Sequence, residues 1–523
     1  MHINAHPILS CAAATEYERA FFKDGAITEN TMMFRAGRAI AAAIEDDFEE
    51  ISGFPAQGKA LVLAGKGHNT GDAFICANAL LDRHPDLEVK VLLAFPVDEL
   101  RPNVRGPYEL LRVRSQATVL SPEDNIPEMI SEFSDGRCID LCVDGVFGMQ
   151  CRPPLRGIPL EMISAVNQFS NIRLRAAIDL PSGIADSFDE NAFHADFTYA
   201  TGITKSSVTE NRAIAKAGRL RYLDLGFFHP CPEIESDEQI LLADGLWQLS
   251  SFRRPDTHKR TYGHLLILAG SDDMPGACLM SATAAVNSGC GLVTVGTVDS
   301  VAAAGIASLP EVMWSSISSQ EGTLDDRILE QVGARIDDFS AILIGPGLGR
   351  TPHAKALLRR VVAEIDKPII IDADGLVAGL TEILAKRPKS FCPVVVTPHA
   401  GEWKRIGGAP FEKNGAKELN NYCRKNRCFI VLKGARTRVS GENKVFLSPF
   451  GGPVLARGGT GDMLSGMVAS LVAQTPSTLL ASTALATIWH GKTADCLARA
   501  QGDTAARTTH LLHYLPEALG FRH

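Results

Sequence analysis

The chain has 523 residues, 45% of them apolar, 21% charged and 7% aromatic, with 46 glycines and 28 prolines. That balance belongs to folded globular protein and excludes a disordered or fibrous chain, while the length exceeds what one core ordinarily serves and points to two unequal halves. The net charge of −8 with no long cationic run argues against a nucleic-acid or anionic-membrane binder, so neither partner is expected and an anionic ligand has to be held locally.

The twelve cysteines are scattered singly, Cys76 and Cys496 inside apolar segments, and read as buried free thiols of a reducing compartment. Cys138 and Cys142 would face one side of a strand, but structural zinc needs four converging ligands. His2 with His6, and His510 with His513, stand near the chain ends without the carboxylate of a metalloprotease pattern and read as solvated or packed. The opening MHINAHPILSCAAATEYERA lacks the basic region of a secretory signal, and no window holds the roughly eighteen apolar residues of a membrane helix. A cytoplasmic location is expected.

In chain order, residues 16–44 have helical apolar spacing, 59–65 (KALVLAG) reads as a buried strand, and a glycine turn leads into a helix over 72–83. Short apolar runs at 87–95, 138–148 and 172–183 continue the alternation of strand and helix that builds a parallel, doubly wound sheet. The regularity lapses over 228–258, in FFHPCPEIESDEQ and SSFRRPDTHKR, which marks the domain boundary. A second series follows at 264–270, 341–349, 367–375, 393–402 and 428–437, and then helices over 462–472 and 479–500. The spacing predicts two α/β domains in tandem, over 1–227 and 240–523.

Ligands of a parallel sheet sit beyond the carboxyl ends of its strands. In the first half Asn69, Asp72, Asp144, Asp179 and Ser182 fall there. The turn GKGHNTGD (65–72), between strand and helix, could cradle a phosphate on backbone amides. The strand over 87–95 runs into Pro96 without the acidic residue that holds a dinucleotide ribose, which disfavours ordinary hydride transfer with NAD. In the second half GGTG precedes Asp462 and an apolar helix, so amides at the helix start can hold a migrating phosphoryl group while the carboxylate accepts a hydroxyl proton. Lys433 and His399 end strands on the same predicted edge.

At these residues the chain resembles the bifunctional NAD(P)H-hydrate repair enzymes. The C-terminal likeness rests on HKRTYGHLLILAGS (258–271), MPGACLMSATAAVNSGCGLV (274–293), LPEVM (309–313), IGPGLG (344–349), DADGL (372–376), TPHAGE (397–402), LKGART (432–437) and GGTGDMLSG (458–466). It implies a ribokinase-like αβα domain in which ADP, or ATP, with Mg²⁺ phosphorylates the hydroxyl of the S-hydrate of NADH or NADPH, after which phosphate leaves. Asp462 would be the base. Lys433, Gly434, Ala435, Arg436, Thr437 and Gly461 would contact the nucleotide, and Cys290, Gly347, His399 and Asp462 the hydrate. The N-terminal likeness rests on HNTGD (68–72), VDGVFG (143–148), IDLPSG (178–183) and ADFTYATG (195–202). It implies a Rossmann-like αβα sandwich that epimerises the R- and S-hydrates. Asn69, Asp144 and Ser182 would hold K⁺, whose oxygen-only ligation suits a hard cation, and Asp144 would also move protons. His68, Asn69, Thr70, Gly71, Asp72, Gly148, Met149, Gln150, Cys151, Arg152 and Asp179 would bind the hydrate. Met149 and Gln150 depart from the Thr-Gly pair usual in that turn, and Ala73 replaces a glycine. The partners implied are small molecules and further copies of the chain as a homo-oligomer. The runner-up is a ribokinase-like small-alcohol kinase with a non-catalytic N-terminal ligand-binding module.

Overall fold

The computed structural model describes residues 1–23, 25–229, 234–411, 415–441 and 443–521. It divides into two compact units, one over His6–Ser236 and one comprising Met1–Ala5 with Asp237–His523. Part of the expected boundary stretch, residues 230–233, lies outside the described residues.

Among the described residues the N-terminal unit is built on a seven-stranded parallel sheet. Its order is Gln116–Val119, Glu88–Leu93, Lys59–Ala64, Ile139–Gly145, Ile172–Ile178, Phe197–Thr201, Arg219–Leu223. Numbered along the chain that is 3-2-1-4-5-6-7, a Rossmann-like order whose reversal falls between Lys59–Ala64 and Ile139–Gly145. Every residue of KALVLA is buried, because both faces are covered; Ala60, Val62 and Ala64 pack with Ile40, Phe74 and Leu80 from the helices Glu29–Phe48 and His68–Arg83. Those helices pack tightly at Gly37, where a Cβ would stand 2.6 Å from that of Ile75. Two expectations change here. The spacing over 16–44 belongs to two helices, Cys11–Lys23 and Glu29–Phe48, the second capped by the Thr28 side chain on the Thr31 amide; Asp24 lies outside the described residues. The helix expected from residue 72 begins at His68, so HNTGD is its first turn and not a loop.

Among the described residues, ten strands of the C-terminal unit run in the order Met313–Ile317, Leu292–Val298, His264–Leu268, Ala341–Ile344, Ile369–Ile371, Val394–Val396, Cys428–Leu432, Arg438–Ser440, Val445–Leu447, Glu238–Leu241. The pairs from Met313–Ile317 through Cys428–Leu432 are parallel, and Arg438–Ser440 runs antiparallel to both its neighbours. Side-chain alternation splits the core in two. Leu265, Ile267, Leu343, Ile370 and Val395 face the helices Thr460–Gln474 and Leu479–Ala505, whereas Leu266, Leu268, Ile342, Ile371 and Val396 face Pro352–Glu364 and its neighbours. This is the helix–sheet–helix layering that the strand–helix alternation predicts. Among the described residues no single helix is long and apolar enough to cross a membrane; Thr460–Gln474 with Pro476–Ala505 meets that test only as a pair bent by 117°. Most of both is buried against the sheet and the helix Pro275–Asn287.

Candidate active sites

In the N-terminal unit the strand order reverses beside Asp144, and the side chains of the next loops close on it. Its Oδ1 accepts the Ser182 hydroxyl at 2.7 Å and the Val146 amide at 3.2 Å, and its Oδ2 accepts the Ser182 amide at 2.7 Å. Burial raises its pKa and these donors lower it, leaving it pushed up to about 6. Asn69 Nδ2 donates to the Phe147 carbonyl at 3.0 Å, Thr70 Oγ1 to Gly145 at 2.8 Å, and the Phe147 amide to Ser182 Oγ at 2.9 Å. Gly148 lets the chain pass close to Asn69, since a Cβ there would stand 3.2 Å from its Oδ1. Asn69, Asp144 and Ser182 therefore surround one turn, 145–148, with oxygen donors.

A second group lies at the end of Ile172–Ile178. Asp179 has φ of 63°, a left-handed conformation that a non-glycine residue adopts at a cost of roughly 1–3 kcal/mol. Its Oδ1 takes the buried Lys205 ammonium at 2.5 Å and the Thr201 hydroxyl at 3.2 Å. The Asp72 carboxyl is held well above its ordinary pKa by burial and by the charges of Asp179 and Glu18, and its buried Oδ1 has no hydrogen-bond partner. Glu18 is raised to about 7, chiefly by burial.

The remaining hydrate-binding candidates divide. His68, its pKa lowered first by burial and then by Arg101, meets that guanidinium at 3.1 Å, and Arg101 also donates to Gln150 at 3.3 Å. Gly67, the helix N-cap, has open space where a Cβ would be. Met149 packs against the apolar cluster of Leu9, Met32 and Phe227, and Cys151 is buried with its amide on the Gly148 carbonyl, so their side chains fill space and offer no anion contact. Arg152 is exposed. The residues missed from sequence are Glu18, Arg101 and Lys205, each remote in the chain from the glycine turn and without a motif of its own.

In the C-terminal unit Asp372, Lys433 and the 345–349 loop leave the carboxyl ends of their strands, and the helix Thr460–Gln474 begins beside them. Lys433 Nζ lies 2.8 Å from Asp372 Oδ1 and 3.8 Å from Glu402 Oε2. Burial alone would lower its pKa, but Asp372 and Glu402 outweigh burial and raise it. Gly461 leaves room for that ammonium, since a Cβ there would stand 3.2 Å from Nζ. Asp462, in the first helical turn, is raised to about 6 by burial and the Asp372 charge, against the opposing pull of Lys433. Asp372 Oδ2 is buried and has no partner. His490 braces the helix start by placing Nε2 3.1 Å from the Thr460 carbonyl, and burial lowers its pKa to about 4.

His399 caps the helix Ala400–Arg405. Its Nδ1 accepts the Gly401 amide at 3.0 Å, which in the neutral ring leaves the hydrogen on Nε2, 3.4 Å from Glu402 Oε1. Gly347, with φ of 60°, lies against Met274 and Ala277 at the start of Pro275–Asn287. Thr437 closes the 433–437 turn by donating to the Gly434 carbonyl at 2.9 Å. Gly434 and Ala435 are exposed, whereas the Arg436 side chain is buried beside Arg438, so Arg436 has its backbone to offer and not its guanidinium. Cys290 is the one candidate that the fold separates from the rest. It sits between Pro275–Asn287 and the first residue of Leu292–Val298, at the amino ends of the strands, with Sγ on the Leu292 carbonyl at 3.2 Å, while Asp462 lies at their carboxyl ends. A residue entering a parallel strand cannot share an edge with residues leaving one; Ala277, beside Gly347, is on the correct edge. Asp372 and Glu402, inside quoted motifs but not named as site residues, were legible as carboxylates following strands.

Residues 265–517 match the family model for NAD(P)H-hydrate dehydratase, and residues 29–207 match that for the YjeF-related protein N-terminus. The bifunctional NAD(P)H-hydrate repair enzyme of Gloeobacter violaceus is 32% identical over 488 residues, which cover 89% of each chain. The chain belongs to the bifunctional NAD(P)H-hydrate repair enzymes. The family member of Coxiella burnetii is 30% identical over 96% of each chain, and that of Moorella thermoacetica 28% identical over 98% of this chain and 96% of its own. A solved structure of the ADP/ATP-dependent NAD(P)H-hydrate dehydratase from Bacillus subtilis is 30% identical and covers 53% of this chain and 96% of its own, with a TM-score of 0.46. Membership of that family makes the chain an enzyme with an epimerase and a dehydratase activity, and its second unit is an αβα domain. A small-alcohol kinase with a non-catalytic N-terminal module is not favoured.

Proposed function

We propose that the two activities divide between the stretches expected from sequence, epimerisation over 1–227 and ADP-dependent dehydration of the S-hydrate over 240–523. The observation that carries the dehydratase reading is Asp462, raised to about 6 in the first turn of a helix whose amides open beside Lys433. The nucleotide would lie on the 433–437 turn and the Gly461 amide. Its terminal phosphoryl would face the helix start, where amide dipoles favour the developing negative charge. The hydrate would lie against Gly347 and the exposed ring of His399, which Glu402 holds in place. Asp462 accepts the proton of the hydrate hydroxyl, whose oxygen bonds to phosphorus as the nucleoside phosphate leaves, as AMP from ADP. Loss of phosphate from one ring carbon and of a proton from its neighbour restores the dihydropyridine. The unpartnered Asp372 Oδ2 fits a cation, and Mg²⁺ held there would neutralise phosphate charge. ATP as an alternative donor belongs to the same reading.

In the N-terminal unit the hydrate would lie along the helix start at Gly67, with Arg101 supplying a cation beside the altered turn at Met149 and Gln150. Asn69, Asp144 and Ser182 are oxygen donors only, which fits K⁺, and that ion would fix substrate oxygens. Asp144, raised to about 6, is suited to exchange protons near neutrality. Exposed Trp247 and Phe252 support self-association as a cytoplasmic homo-oligomer, which sedimentation would check.

Purified protein given ADP, Mg²⁺ and S-hydrate should restore the dihydropyridine absorbance. Silence with both ADP and ATP would overturn the dehydratase reading.

A further inference from the structure

We propose that His6, Asp224 and His229 form a zinc-type metal site, separate from both candidate active sites, that ties the start of the N-terminal unit to the end of its last strand. One ring nitrogen of each histidine and one Asp224 oxygen lie within 4.8 Å of one another, and among the described residues this is the group of three or more His, Cys, Asp or Glu side chains placed to hold an ion.

The preparation of His6 goes beyond proximity. Tyr222 belongs to Arg219–Leu223, and its hydroxyl donates its single hydrogen to the Gly202 carbonyl at 2.9 Å. With the phenol hydrogen on Gly202, the ring is the donor in the His6 Nδ1 contact to Tyr222, at 2.7 Å. This fixes the neutral tautomer with the lone pair on Nε2, the same arrangement by which a second hydrogen bond orients a metal-binding imidazole. The ring is 4% exposed and is held among Tyr222, Phe228 and His229, with centroids 5.0–5.8 Å away. Asp224 is oriented too. Its Oδ1 accepts the Gly226 amide at 2.9 Å, and its Oδ2 lies 3.8 Å from His229 Nε2.

Two imidazoles and a carboxylate are the donors of a three-ligand zinc site with water as the fourth ligand. Bonds of about 2.0–2.2 Å place tetrahedral ligand atoms about 3.3–3.6 Å apart. Closing on an ion thus asks for a movement of about an ångström, which the exposed side chains of Asp224 and His229 can make while buried His6 stays in place. His2, four residues from His6, pairs instead with Trp247 and has no part in the site.

The test uses the full chain, stripped of metal by a chelator and titrated with ZnCl₂ by calorimetry, with CoCl₂ as the optical probe. Wild type should bind one equivalent with submicromolar affinity and show the visible bands of tetrahedral cobalt. His229→Ala and Asp224→Ala should each weaken binding at least tenfold and remove the bands. Tyr222→Phe, which touches no metal, should weaken binding about 10–100-fold by freeing the His6 tautomer. Matching thermal melts of the metal-free variants and wild type would show that folding is intact. The proposal is overturned if wild type takes up no stoichiometric zinc, if His229→Ala binds as wild type does, or if the affinity is lost instead with His510→Ala or His513→Ala, the other close histidine pair.

Discussion

Asp462 carries the dehydratase reading at a single carboxyl group. Asp462→Asn should lower the dehydration kcat by about 10²–10⁴-fold, the usual contribution of a general base, while calorimetry shows ADP affinity nearly unchanged, since the side chain acts on the hydroxyl and not on the phosphates. A base must be ionised to act, and a value raised to about 6 means that kcat/KM for dehydration should fall as pH drops through 6 and level off above it; a profile flat down to pH 4 would remove Asp462 from the role. Lys205 is the counterpart in the N-terminal unit, since it is the buried cation that offsets Asp179 beside Asp72 and Glu18. Lys205→Met should cost the unit about 3–5 kcal/mol in urea unfolding, because an uncompensated buried carboxylate remains. Asp462 and Asp144 could be picked out as candidates because the one opens a helix and the other stands at the end of a strand, each within a recognisable motif. Lys205 and Arg101 could not, because their meaning comes from a partner 26 residues away in one case and 33 in the other.

The helix Thr460–Gln474 depends on how its start is turned. Gly459, its N-cap, has φ of 91°, and a Cβ there would stand 2.2 Å from Met280 Sδ. Gly459→Ala should destabilise by about 1–3 kcal/mol, seen as a lower Tm, and should lower kcat together with stability because the amides at the helix start move with it. An unchanged Tm would show that the turn tolerates a side chain. The sequence placed this helix within two residues at either end, since GGTG stops the preceding chain and the apolar run is uninterrupted. It misplaced the start of His68–Arg83 by four residues, because His, Asn and Thr are poor helix formers whose first-turn role is set by the glycine before them and by the contacts of Asn69 and Thr70 with Phe147 and Gly145.

For the whole molecule, the two candidate sites stand at the strand-order reversal of one sheet and at the strand ends of another, in units with separate cores. Asp144→Ala should therefore abolish conversion of R-hydrate and any K⁺ dependence while S-hydrate dehydration proceeds at the wild-type rate; joint loss of both activities in a folded protein would refute independent sites. By itself the sequence determined the tandem α/β plan, the αβα class, the strands that end at the candidate sites and the family, because alternating apolar runs and glycine turns are local signals. Only the tertiary structure decided that Cys290 enters the sheet at the edge opposite Asp462, that Arg436 points inward, that Arg101 reaches the altered turn, and that His6 meets Asp224 and His229. Each of those facts depends on segments far apart in the chain meeting in space, and hydrophobic periodicity, which records only which face is buried, does not encode them.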